Sequence, residues 1–352
     1  MKVEPPVTDS PGARHIGMED PLVVAAQAGD QTAFGRLTEH HRRELQVHCY
    51  RMLGSIEDAE DAVQETYLRA WARLDGYAGR GTFRAWLYSI ATRACLDALR
   101  RRKARLWPPN VSSSSDPHDH PAPPLDLPWL QPYPDTLLAA PAARDAEPET
   151  VVTSNETIEL AFLASIQRLP ARQRAVLILR DVLDWSAAET ASALDMTVVA
   201  VNSALLRART TLAEHLPADR DQWSAHSSGS ERAILMRLID AWERSDTAAL
   251  VALLRADARL VMPPRPTWFA GRDAIEVFLR EHVFGSMGTG WRLRPTAANR
   301  QPAFALYHRE GSSPEHRPFA IGVLHLHNGE IDEMAMFGEP ELFGRFGVPA
   351  AL

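Results

Sequence analysis

DWSAAETASALDMTVVAVNSALLRARTTL, residues 184–212, holds two short helix patterns parted by Leu194-Asp195-Met196-Thr197, and only the second ends in arginines. Ser186 and Glu189 have the spacing of a capping box, in which a hydroxyl and a carboxylate satisfy the orphaned amides of a helix start. A helix is therefore expected from Ser186, with Ala188, Ala191 and Leu194 on one buried face. Asp195-Met196 then makes the turn and Thr197 caps the next helix. There Val198, Val201, Leu205, Ala208 and Leu212 recur at three and four residues and point inward, leaving Asn202, Ser203, Arg207 and Arg209 outside. This is the layout of a helix-turn-helix, whose second helix lies in the DNA major groove while arginines hold phosphates. An ordinary helical hairpin with a polar outer face fits the same residues.

At 352 residues the chain is long enough for two or three domains. A hydrophobic content of 45% suffices for packed cores, and a net charge of −7 argues against indiscriminate coating of nucleic acid. The two cysteines, Cys49 and Cys95, each fall within a helical pattern. They build neither a disulfide framework nor a zinc site, and read as small apolar packing residues. The first residues lack the apolar run of a signal peptide, and no stretch approaches the length of a membrane span. A soluble, cytoplasmic protein with no membrane contact, metal or cofactor is expected.

Composition divides the chain. Residues 1–18 read as a disordered tail, and 19–106 as helical. Residues 107–150, with WPPNVSSSSDPHDHPAPP at their start, are rich in proline and serine and read as a linker. If flexible, it would have a root-mean-square span of about 35 to 40 Å. Helical text resumes over 151–217, and 218–229 forms a shorter linker. Within 230–352, two helical stretches precede the strand-like runs ARLVMPP, FALYHRE and FAIGVLHLHNGEIDEMAMF, the last broken by Asn328-Gly329. Helices followed by strands imply an α+β domain with a curved antiparallel sheet.

In the first helical segment, EDAEDAVQETYLRAWARL puts Val63, Tyr67, Ala70, Trp71 and Leu74 on an inward stripe. Asp58, Asp61 and Glu65, with Gln64 beside them, form a separate acidic face. GTFRAWLYSIATRACLDALRRRKAR then interleaves Phe83, Trp86 and Tyr88 with Arg84 and Arg93, and ends in Arg100, Arg101, Arg102, Lys103 and Arg105. Phe83, Leu87, Ile90 and Ala94 share a face and belong to a core. Rings beside cations suit single-stranded nucleic acid, since bases stack on rings while cations neutralise the backbone.

DAEDAVQETYLRAW, TFRAWLYSIATRACLDALRRRKA and LPARQRAVLILRDVLDWSAAETASALDMTVVAVNSALLRARTTL resemble, in order, regions 2 and 4 of the extracytoplasmic-function (ECF) group of sigma-70 factors. PWLQPYPDTLL and the α+β tail resemble the subgroup that carries a C-terminal SnoaL-like domain of the NTF2-like fold. The resemblance implies two all-α helical domains followed by an α+β cone. It implies that Asp58, Asp61, Gln64 and Glu65 grip the clamp coiled coil of core RNA polymerase. Arg84, Trp86, Tyr88, Thr92, Arg93, Asp97, Arg100 and Arg101 would open and read the minus-ten element, holding a nontemplate-strand base out of the stack. Thr197, Val199, Asn202, Ser203, Arg207 and Arg209 would read the double-stranded minus-thirty-five element. Asp195 stands where relatives commonly place glycine, a substitution that a left-handed backbone tolerates.

In the α+β tail, Trp242, Trp268, Phe278, Trp291, His325 and His327 are candidate pocket residues for a small ligand, with Asp257 or Asp332 as a carboxylate. His325 and His327 alternate on one strand and so share a face. His118 and His120 read as part of a solvated loop. An initiation factor regulated by its tail is the expected function, with a small-molecule enzyme fused to a DNA-binding module and a plain helix-turn-helix repressor as the alternatives.

Overall fold

The computed structural model describes residues 21–79, 81–101, 104–138, 158–214, 229–311 and 313–352. The tail 1–18, linker residues 139–150, most of 218–229, and Arg102 with Lys103 lie outside them. Five helices open the described chain: α1 (Pro21–Gln27), α2 (Gln31–Glu39), α3 (Arg42–Leu53), α4 (Ile56–Ala72) and α5 (Phe83–Arg101). Their junctions follow from local chemistry. Asp30 caps α2 by accepting from the amides of Thr32 and Ala33 at 2.8 and 3.1 Å. Gly54 ends α3 in the left-handed region at φ 69°, and the Ser55 hydroxyl accepts from the Asp58 amide to start α4. A Cβ on Gly54 would stand 2.9 Å from Leu130, so the glycine also admits a later segment of chain.

That segment is the proline- and serine-rich one. Its described part, 104–138, follows a fixed path rather than a free coil. Leu106 and Trp129 bridge one another, with the Leu106 amide donating to the Pro128 carbonyl at 2.7 Å. Trp107, Trp129, Leu130 and Tyr133 are buried. Prolines keep such a stretch extended, and four large apolar side chains give it the burial that a solvated linker lacks.

Helices α6 (Leu160–Ile166) and α7 (Ala171–Leu177), the latter continued by a π-turn over Ile178–Val182, lead into α8 (Ala187–Leu194) and α9 (Val198–Ala213). The capping box forms: the Glu189 amide donates to the Ser186 hydroxyl at 3.2 Å, and the Ser186 amide to the Glu189 carboxylate at 2.8 Å. Asp195 takes φ 52°, ψ 51°, and the Thr197 hydroxyl accepts from the Ala200 amide. Two expectations fail at the first turn of each helix. Ala188 and Val198 are exposed, while Thr190 and Ala193 join Ala191 and Leu194 in the core.

The last domain packs α10 (Gly229–Glu243), α11 (Thr247–Val251) and α12 (Arg272–Phe278) on a six-stranded sheet. The strands are β1 (Leu254–Val261), β2 (Trp268–Ala270), β3 (Trp291–Ala298), β4 (Gln301–His308), β5 (Arg317–His327) and β6 (Glu330–Phe337), in the order β2-β1-β6-β5-β4-β3. Asn328 and Gly329, both at positive φ, close the β5–β6 hairpin. The sheet is mixed, not wholly antiparallel, because β1 runs parallel to β6 in its middle. A short helix, α13 (Leu342–Arg345), follows β6.

Strand alternation gives this sheet two buried faces. Leu260, Phe304, Leu306, Ala320, Leu324, Met334 and Met336 pack on the domain's own helices. Val261, Ala303, Ala305, Tyr307, Ile321, Val323, Ala335 and Phe337 belong to one continuous core with the five opening helices and α6–α9. Trp107 meets Phe337 with ring centroids 5.9 Å apart. The sigma-like helices and the proline-rich segment thus cover a sheet face that an isolated domain would expose.

Candidate polymerase and promoter interfaces

Helix α4 divides its acidic residues. Asp58, in its first turn, is buried and ion-paired with Arg105, so it is not on an outward face as expected. Asp61 and Gln64 are exposed, and Glu57 stands one turn before them. Glu65 is half-buried and pairs with Arg69 at 2.6 Å. Leu68 completes the 57, 61, 64, 68 row and is 68% exposed, an apolar side chain on an acidic ridge. Sequence reading passed over Leu68, although its spacing of four from Gln64 and seven from Asp61 was available.

Helix α5 turns a different set inward than expected. Tyr88 and Thr92 are buried. The Thr92 hydroxyl donates to the Tyr88 carbonyl at 2.7 Å and meets His48 Nε2 at 2.9 Å. Burial, with the charges of Arg51 and Arg84, pushes His48 down to about 3, so the imidazole is neutral and its Nε2–H donates to Thr92. Neither Tyr88 nor Thr92 is presented to a base. Arg84 stacks over the Tyr88 ring at 4.7 Å and pairs with Glu44 at 2.7 Å. Trp86 is half-buried against Tyr77 and Phe83.

Farther along α5, Asp97 bridges two arginines, pairing with Arg69 at 2.7 Å and with Arg100. Burial works against its charge, but these guanidiniums hold its carboxyl below the usual carboxylate range. Arg101 is exposed at the helix end. Arg93 reaches away from its own domain. Its Nε donates to the Ala193 carbonyl at 2.8 Å, and its Nη2 meets the Asp195 carboxylate at 3.1 Å. Those acceptors are the C-terminus of α8 and the turn of the helix-turn-helix, a negative helix end that suits a cation. A cleft of about 380 Å³ opens beside this contact, walled by Arg69, Arg73, Arg93, Arg100 and Arg172.

On α9, Thr197, Asn202 and Arg207 are exposed and Ser203 is half-exposed. Val199 and Leu206, 75% and 68% exposed, flank them with apolar surface. Arg209 is held by a bidentate pair with Asp181 at 2.7 and 3.0 Å, so one expected phosphate contact is already engaged.

The expected pocket set of the last domain separates. A cavity of about 440 Å³ is lined by Trp242 and Phe278 but not by Trp268, Trp291, His325 or His327. The Trp268 indole donates to the Ser112 carbonyl at 3.0 Å, and the Trp291 indole to the Gly288 carbonyl at 2.9 Å. His325 and His327 do not act as a pair, because a bulge between His325 and Leu326 breaks the alternation. His325 lies against Asp332 at 3.2 Å and Glu159 at 3.9 Å, on the side of the sheet that faces α6. Asp257 pairs with Arg255 at the surface. Among the described residues no group of three potential metal ligands occurs, and no helix is long and apolar enough to cross a membrane.

Comparison with known proteins matches this architecture segment by segment. The family description "Sigma-70 region 2" fits residues 37–105, "Sigma-70, region 4" fits 159–212, and "SnoaL-like domain" fits 235–334. The ECF RNA polymerase sigma factor SigG of Mycobacterium tuberculosis is 41% identical over 340 residues, covering 95% of this chain and 90% of that protein. SigM, an ECF sigma factor of the same species, is 33% identical over 58% of this chain and 88% of its own length. The crystal structure of the Mycobacterium tuberculosis ECF sigma factor SigJ shares the fold, with a TM-score of 0.55 at 20% identity over 89% of this chain and 98% of that one. The chain belongs to the ECF RNA polymerase sigma factors, in the form that carries a C-terminal SnoaL-like domain.

Proposed function

We propose that the chain is a dissociable promoter-specificity subunit, not an enzyme, and that its SnoaL-like domain holds the two promoter readers closed until core RNA polymerase draws them apart. In this reading residues 19–106 bind polymerase and the minus-ten element, 151–217 bind the minus-thirty-five element, and 230–352 regulate them across the segment 107–150. Asp61, Gln64 and Leu68 form the polymerase contact. Arg84, Trp86, Arg93, Asp97, Arg100 and Arg101 address the melted nontemplate strand. Thr197, Val199, Asn202, Ser203 and Arg207 address duplex DNA. The protein then works where core polymerase is, in the cytoplasm.

The observation that carries the closed state is the Arg93 contact with the helix-turn-helix at 2.8 Å. Two promoter elements about 25 base pairs apart are separated by on the order of 85 Å, at about 3.4 Å per base pair. Readers in direct contact cannot occupy both, so α5 and α8 must part before initiation. Apolar burial of the outer sheet face against both readers supplies the closing force.

The test is assembly with purified core polymerase followed by run-off transcription from genomic fragments. A donor and acceptor dye on α5 and α9 should lose energy transfer as holoenzyme forms. Absence of any attachment to core at low ionic strength would remove the proposal. A fused enzyme has less support, because neither His325 nor Asp257 lines the apolar cavity of the last domain.

A further inference from the structure

The cleft between α5 and the helix-turn-helix gathers more positive charge than the carboxylates around it balance. Five guanidiniums line it. Asp97 pairs with Arg69 at 2.7 Å and with Arg100, Glu65 gives Arg69 a second partner at 2.6 Å, and Asp195 meets Arg93 at 3.1 Å. Five cations against those three carboxylates leave two charges over, in a chain whose net charge is −7. They belong to Arg73 and Arg172, which are exposed and make no ion pair among the described residues. Arg73 follows the last turn of α4 and Arg172 lies in the first turn of α7, so each promoter reader contributes one. Like charges around one space repel, and that repulsion opposes the closed arrangement.

The space suits one kind of anion. Its volume of about 380 Å³ lies within the range of small-molecule sites, about 300 to 1,000 Å³. A guanidinium donates through a planar fork, which takes up both oxygens of a carboxylate. A tetrahedral phosphate fills the same fork and keeps a further oxygen for a second cation. A chain of two or three phosphates therefore has the charge and the acceptors to meet Arg73 and Arg172 together. Ile90, Leu96 and Leu194 complete the lining with apolar surface, where the uncharged part of such a molecule can lie.

We infer that this cleft binds a free nucleoside diphosphate or triphosphate, its phosphate chain spanning Arg73 and Arg172 and its nucleoside lying over Ile90, Leu96 and Leu194. This rests on the reading of a closed state that must open before initiation, and it names a ligand of that state. Because the wall comes from both readers, the anion binds the closed chain and not the open one. At about a hundred times its dissociation constant it shifts the balance about a hundredfold toward closure. The backbone of a melted strand carries the same phosphate chemistry, but it engages α5 once α7 and α8 have left, so the two occupants exclude one another.

Magnesium-free ATP is the probe, titrated calorimetrically into the full-length chain at low ionic strength, without polymerase or DNA. It should bind saturably at one site per chain, and added salt should weaken it. Arg73→Gln and Arg172→Gln should each lower the affinity about tenfold, the loss of a charge-assisted hydrogen bond, at an unchanged thermal midpoint of the nucleotide-free chain. Arg232→Gln removes an exposed cation of the last domain and should leave binding as it was. Hydrogen exchange read by mass spectrometry should slow with ATP in α4 and α5 and also in α7 and α8. No saturable binding, binding indifferent to both cleft variants, or binding weakened as much by Arg232→Gln overturns the site. Protection confined to one reader overturns the bridge between them. A short single-stranded oligonucleotide that binds through Arg73 and Arg172 where ATP does not would assign the cleft to the DNA strand and end the proposal. Since no polymerase is present, failure here is separate from failure of the chain to form holoenzyme.

Discussion

The Asn299 amide donates to the Tyr50 hydroxyl at 3.0 Å, joining the β3–β4 hairpin tip of the last domain to α3 of the first across 249 positions of sequence. The same side chain donates to the Ile158 carbonyl at 2.8 Å and accepts from the Tyr133 amide at 2.7 Å. One buried residue in the left-handed region, at φ 57°, therefore ties together the first domain, the proline-rich segment, the approach to α6 and the sheet. Replacing Asn299 with Ala strands the Tyr133 amide and the Ile158 carbonyl and adds backbone strain. The expected cost is about 2 to 4 kcal/mol. Urea unfolding of the whole chain measures it, and a loss below about 0.5 kcal/mol would show that the tie is not structural.

Asp195→Asn tests the closed arrangement without touching either reader's DNA face. Asparagine accepts a left-handed backbone as well as aspartate does, so the turn survives while the charge facing Arg93 is lost. Arg93 and Asp195 are both solvent-accessible, so the stability change should stay within about 1 kcal/mol. Energy transfer between dyes on α5 and α9 should nevertheless fall, and association with core polymerase should quicken. Added salt should mimic the variant, because exposed charges are screened within about 10 Å at 0.1 M. Unchanged transfer efficiency in both conditions would mean that burial alone holds the readers together.

His325 gives the closed state a pH dependence. Burial pushes its imidazole down, but the hydrogen bond to Asp332 and the negative charges of Glu159, Asp332 and Glu333 outweigh it and leave the group above its ordinary value. A histidine raised on folding contributes stability that is complete below its unfolded value of about 6.5 and is lost as pH rises through the folded value. Burial also raises Glu333, and raises Glu231 to about 7, so both acids favour the same direction. Stability should therefore fall as pH rises, from about 4.5 upward through the two glutamates and from about 6.5 upward through His325. His325→Gln should flatten that slope, and a slope that persists unaltered would assign it to the acids alone.

The sequence disclosed what short-range chemistry decides. The capping box at Ser186 and Glu189, the left-handed turn at Asp195 and the Asn328-Gly329 hairpin all form as read, because each depends on residues within four positions. Errors arise where distant chain competes for a surface. Tyr88 and Thr92 look like ligands for bases until α3 supplies His48 and α5 is packed against it. The proline-rich stretch looks like a tether until Trp107 meets Phe337 of the sheet and Tyr133 meets Tyr50 of α3. β3 passed unremarked because Pro295 interrupts it, which an edge strand tolerates. His325 was assigned to the cavity, yet the same parity as Ile321 and Val323 directs it to the opposite face.

Leu68→Asp tests the polymerase contact at the apolar member of the 57, 61, 64, 68 row. An apolar side chain 68% exposed on a ridge with Asp61 and Gln64 loses little when the free chain is mutated, so stability should change by less than about 0.5 kcal/mol. At an interface its burial is worth about 1.5 to 3 kcal/mol, and an unpaired carboxylate in its place adds a desolvation penalty. Core polymerase affinity should therefore fall at least tenfold, read by fluorescence anisotropy of the labelled chain. Asp58→Asn should behave in the opposite manner, weakening the fold through lost pairing with Arg105 while leaving core affinity nearly intact. If Asp58→Asn impairs attachment more than Leu68→Asp at equal folded fraction, the contact surface lies toward the start of α4 and not along its outer ridge.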